Sequence, residues 1–91
     1  MISLKIGKHY LEYNPNSDTG LYMKLFYVED ILTPTAYLIT GIVEVFNDKL
    51  YFHQSQKSYA FTEKDFEYIQ EDYSKLFDYI FSDTFTARKL A

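Results

Sequence analysis

The stretch DFEYIQEDYSKLFDYIF, Asp65–Phe81, mixes rings and carboxylates so densely that its reading decides the fold. On a wheel at about 100° per residue, Phe66, Ile69, Tyr73, Leu76, Phe77, Ile80 and Phe81 share one broad apolar side. Glu67, Glu71 and Asp78 form a stripe outside it, while Tyr68, Asp72, Lys75 and Tyr79 occupy the side turned away. Thr62 precedes the run as a capping residue, and Asp65 stands where a capping box usually carries Glu or Gln. Acids in the first turn, with Arg88 and Lys89 beyond the end, suit the helix macrodipole. The pattern predicts one long C-terminal helix over about 63–82.

The segments before it read as strands. ISLKIGKHYLEY (2–13) reads as a hairpin turning at Gly7, which supplies the positive φ of a type II′ turn. Ile6 then pairs with His9, Leu4 with Leu11 and Ile2 with Tyr13; a long strand bulged at Gly7 fits nearly as well. NPNSDTG (14–20) is a loop by composition. LYMKLFYV (21–28) is apolar on both faces, as a central strand or one that curls is, and Thr33-Pro34-Thr35 ends that section. AYLITGIVEVF (36–46) and KLYFH (49–53) form a hairpin through Asn47-Asp48. A two-residue loop pairs Val45 with Leu50, Val43 with Phe52 and Glu44 with Tyr51; a three-residue loop would bury Glu44 with Phe52. YAF (59–61) makes a last short strand. The fold class expected is therefore α+β: an antiparallel sheet of four to five strands (about 2–61) with the long helix packed on it, one domain spanning 1–91. An SH3-like small barrel carrying the same helix is the alternative.

Composition narrows the function. With 91 residues and 47% hydrophobic content the chain can bury one core. It carries ten Tyr, eight Phe and no Cys, so disulfides, thiolate metal sites and cysteine nucleophiles are excluded. No leader or membrane-length apolar run is evident, and the expectation is a cytoplasmic protein without membrane contact. The net charge of −4 is uneven. Residues 63–83 hold seven acids (Glu63, Asp65, Glu67, Glu71, Asp72, Asp78, Asp83) against Lys64 and Lys75, so the acidity belongs to the predicted helix.

Signatures of chemistry are missing. His9 and His53 both fall in predicted strands, and no serine sits in a nucleophile elbow. Two histidines without cysteine make a poor zinc set, no calcium loop surrounds Asp48, and the three glycines do not form a phosphate-binding loop. Neither catalytic residues, metal nor cofactor are expected. What remains is a non-enzymatic protein-binding domain. Glu67, Tyr68, Glu71, Asp72, Lys75, Asp78 and Tyr79 form its expected contact face, with tyrosine anchors ringed by carboxylates that steer a basic partner. The same face could join two copies of the chain. Acids spaced along a helix also imitate phosphates, so the partner's basic site could be one that otherwise holds nucleic acid. In size and charge pattern the chain resembles small acidic inhibitors made by bacteriophages, which implies an inhibitor or modulator and a nucleic-acid mimic. The alternative is a small barrel binding single-stranded nucleic acid through sheet aromatics and Lys5, Lys8, Lys24, Lys49 and Lys57, a reading the acidic charge disfavours.

Overall fold

A computed structural model describes residues 4–18, 20–46 and 49–81. Among these, six strands form one antiparallel sheet: β1 (His9–Ser17), β2 (Gly20–Thr33), β3 (Ala36–Phe46), β4 (Lys49–His53), β5 (Lys57–Ala60) and β6 (Ile69–Gln70). Two short helices, α1 (Glu63–Phe66) and α2 (Ser74–Ile80), complete the elements. The strand order is β4-β3-β2-β1-β6, with β5 also pairing β3. Among the described residues no pairing joins β6 to β4 or β5, so the sheet they form is open rather than closed into the small barrel of the alternative.

Long β2 lies between β1 and β3 and is apolar on both faces, as a central strand requires. Alternation sends Leu11, Met23 and Val45 to one face, where Leu76 of α2 closes over them. Tyr10, Phe26 and Val28 point to the other, joined by Tyr37, Ile39, Ile42, Phe61, Phe66 and Ile69. The sheet thus has a core on each side. At the β2–β3 turn, Thr33 Oγ1 accepts the amides of Thr35 and Ala36, at 3.3 and 3.0 Å, which closes the hairpin around Pro34.

Strand β3 changes partner along its outer edge. Tyr37 pairs with Tyr59 of β5, whereas Ile42 pairs with His53 of β4. Between these stretches lies a bulge: Leu25 faces Val43 and Tyr27 faces Thr40, so two steps along β2 match three along β3. Gly41 sits there with φ +59°. The extra residue switches parity. Tyr37 and Ile39 face the aromatic core before it, and Ile42 faces the same core after it.

The predicted long helix is not formed, and the α+β expectation gives way to a mostly β protein. Its start is right: Thr62 Oγ1 accepts from the Asp65 amide at 3.2 Å, and an Asp65 carboxylate oxygen accepts from the Thr62 amide at 2.8 Å. The helix then stops after Phe66. Ile69 and Gln70 extend along β1 opposite Glu12 and Leu11, and Tyr13 donates its amide to the Tyr68 carbonyl at 2.9 Å. The reason lies in the two cores. Phe66 and Ile69 are buried on one face of the sheet and Leu76 on the other, and a straight helix cannot cover both. The chain crosses the sheet edge instead, where pairing with β1 satisfies main-chain groups an open edge leaves bare. Asp72 then accepts the Ser74 amide at 2.9 Å and α2 begins.

Two further expectations are corrected. The hairpin at Gly7 is not made: residues 5–8 are not strand, and Gly7 and Lys8 instead bond to Val28 of β2 through main-chain groups. Leu4 is buried in the aromatic core, while Ile2 and Ser3 lie outside the described residues. The loop expected at 14–20 is largely strand, since β1 runs to Ser17, which pairs with Gly20 across an irregularity after Asn14. By contrast, the β3–β4 register is the predicted one, with Val45 opposite Leu50, Glu44 opposite Tyr51 and Val43 opposite Phe52.

Candidate functional site

The break at 67–73 scatters the seven residues expected on one helix face. Glu67 ends α1 and is exposed, and Tyr68 is half-buried beside Asn14, Asn16 and Lys64. Glu71 pairs with Lys8 at 3.6 Å, an exposed bridge that contributes little to stability. Asp72 serves the Ser74 amide, and those hydrogen bonds from Ser74 hold its carboxyl below the usual range. Lys75, Asp78 and Tyr79 belong to α2. Lys75 places its Nζ 5.7 Å from the Tyr13 ring centroid. Tyr79 packs against the Leu11, Met23, Val45 and Leu76 cluster, so Tyr68 and Tyr79 do not form a pair of outward anchors.

Instead Phe77 of α2 and Phe81, the residue capping its C-terminus, are turned outward. Leu76 is buried and Tyr79 and Ile80 are half-buried against the sheet, whereas Phe77 is 49% and Phe81 75% exposed. Four residues apart, they stand one turn from each other on one side of the helix. Exposed Asp78 follows Phe77 directly, and the exposed acids Glu71 and Asp72 precede the helix. The helical wheel had placed Phe77 and Phe81 in the core because it assumed one continuous axis.

The opposite face of the sheet holds a polar row absent from the sequence reading. Glu12, Lys24 and Glu44 are direct cross-strand partners on β1, β2 and β3. Glu12 and Lys24 are only 6% and 4% exposed. Glu44 is bound on both oxygens: Tyr22 donates its hydroxyl to Oε2 at 3.0 Å, and His53 Nε2 lies 3.2 Å from Oε1. Lys24 places its Nζ 3.3 Å from the centroid of the Tyr59 ring, a cation–π contact. Burial pushes the Glu12 carboxyl up to about 7, opposed by Lys24 and helped by Asp65 and Glu44. Burial, then the charges of Glu12 and Glu44, hold the Tyr22 phenol protonated far above its ordinary range.

The β3–β4 register already put Glu44 and His53 on one face, so their contact was legible. Lys24 was not, because the pairing of β1 with β2 was unread. Among the described residues, no three His, Asp or Glu side chains gather into a metal-binding group, and no helix is long and apolar enough to cross a membrane. In comparisons with known proteins, the chain matches no family model, no curated protein and no solved structure.

Proposed function

We infer that this chain is a non-enzymatic protein-binding domain that modulates a partner with a basic surface, using the outward side of α2. The exposure of Phe77 and Phe81, one turn apart on a helix whose other side is anchored by Leu76, carries the reading. A ring on a helix packed through Leu76, with a second ring at the cap of that helix, supplies the aromatic anchors that interface cores favour. Charge supports the choice of partner: residues 63–81 hold six acids against Lys64 and Lys75. Glu71, Asp72 and Asp78 surround the rings in sequence, an arrangement that speeds encounter with a basic surface. Competition with nucleic acid for that surface follows from the same charge. The nucleic-acid-binding alternative gains less, because Lys24 is buried on Tyr59 and Lys8 is paired with Glu71.

The test is binding to a partner captured from the native host, measured for the parent and for the Phe77→Ala, Phe81→Ala double variant. Loss of about tenfold or more in affinity, together with a parental on-rate that falls with salt, supports the reading. Unchanged affinity in the folded variant overturns it. Sedimentation of the free protein separates a second outcome: a dimer abolished by the same substitutions would make the surface a self-association site instead.

A further inference from the structure

The aromatic-core face carries a pocket of about 170 Å³ where β3 exchanges β5 for β4. Lys24, Ile39, Ile42, Glu44, His53, Lys57 and Tyr59 line it. The bulge at Gly41 creates the setting, since Ile39 and Ile42 both face this core from either side of it.

Lys24 is the chemically distinctive member. An ammonium has three protons to donate, yet among the described residues Lys24 makes neither a hydrogen bond nor an ion pair, although its cross-strand neighbours are Glu12 and Glu44. Its contacts are ring faces: Tyr59 at 3.3 Å and, more distantly, Tyr22 at 5.8 Å. The residue is buried, but its Nζ is not among the enclosed atoms that lack a partner, so the ammonium meets the pocket, where an anion can reach it.

We propose that this pocket binds a small aliphatic monocarboxylate, its carboxylate on Lys24 Nζ and its alkyl group against Ile39, Ile42 and Tyr59. The volume is below the roughly 300–1,000 Å³ of ordinary ligand pockets, which selects a ligand of few atoms. Apolar walls favour a carboxylate with a short branched chain over a fully hydrated phosphate or sulfate. Glu44 already accepts from Tyr22 on Oε2 and meets His53 at Oε1, which leaves it a less available acceptor for a ligand amine. Its charge instead disfavours a second negative charge on the ligand, while exposed Lys57 adds a positive charge to the lining. The site is on the face of the sheet opposite α2 and is independent of the partner-binding surface.

The experiment is an NMR titration of the full chain at neutral pH with isobutyrate, isobutylamine and inorganic phosphate. Isobutyrate should bind saturably with millimolar affinity, moving amide signals of Ile39, Ile42, Lys57 and Tyr59. The amine should not bind, and phosphate should bind far more weakly. Lys24→Met should weaken isobutyrate about tenfold or more, the ordinary worth of a hydrogen bond to a charged group; Lys57→Met should weaken it less. If Lys24→Met does not fold, the parental shift map and ligand ranking decide. The proposal is overturned by no saturable binding, by shifts mapping elsewhere, by equal binding of amine or phosphate, or by unchanged affinity in folded Lys24→Met.

Discussion

The two faces of this sheet are filled by different chemistry. Under α2, the fully buried members are Leu11, Met23, Val45 and Leu76, with tyrosines and aliphatics around them. Across the sheet, an aromatic core built on Tyr10, Phe26, Tyr37, Phe61 and Phe66 adjoins the row Glu12–Lys24–Glu44. The first face is stabilised by apolar burial. The second also bears the desolvation of charge, which nonpolar side chains of similar volume would avoid. The two faces therefore differ in what their burial costs.

The sharpest break of the apolar face is Leu76→Ala. Leu76 is 1% exposed and fastens the last helix to the sheet, so the substitution should cost about 2–5 kcal/mol in denaturant unfolding. A variant as stable as the parent would mean that α2 contributes little to that core.

The polar face should reveal itself through pH. A carboxyl that is protonated more readily folded than unfolded adds stability that is whole below the unfolded pKa, ordinarily 4.5, and is lost as pH rises through the folded value of about 7. Stability should therefore decline between about pH 4.5 and 7 and level off above that, by up to about 3 kcal/mol if Glu12 acts alone. The groups acting on Glu12 are Lys24, Asp65 and Glu44. Glu12→Gln should flatten the decline, and an unaltered profile would show that another group causes it.

The bulge joins the two faces, and a smaller effect tests it. A Cβ at Gly41 would meet nothing closer than Tyr27 Cβ at 4.0 Å, so the obstacle is the φ of +59° rather than space. Gly41→Ala should cost about 1–2 kcal/mol. If that substitution costs nothing, the parity switch does not depend on the left-handed backbone conformation.

Legibility followed the range of the interaction that fixed each element. The Thr62–Asp65 cap and the β3–β4 register are settled within a few residues, and both were readable. The division of 63–81 was not. Nothing in Glu67–Tyr73 is Pro or Gly, and its wheel is amphipathic; the break comes from the edge of β1, more than fifty residues earlier. Likewise Lys24 read as one lysine in a sheet, because its burial depends on β1, β3 and β5 closing around it. The acidic, aromatic character of the C-terminal third was visible, but which rings turn outward was decided by where α2 restarts.

The smallest expected effect on stability falls on those rings. Leu76 and Phe77 are sequence neighbours on one short helix, and the turn of about 100° between them puts one in the core and the other outside. Phe81 is exposed further still. Transfer of a side chain that already half meets water contributes little to folding, so Phe77→Ala and Phe81→Ala should each change stability by only about 1 kcal/mol or less. The same pair should dominate partner affinity, where burial happens only on association. Measuring both quantities on the same variants separates packing from recognition. A large loss of stability would place the rings in a core the exposed geometry does not predict, and the partner-binding reading would lose the observation it rests on.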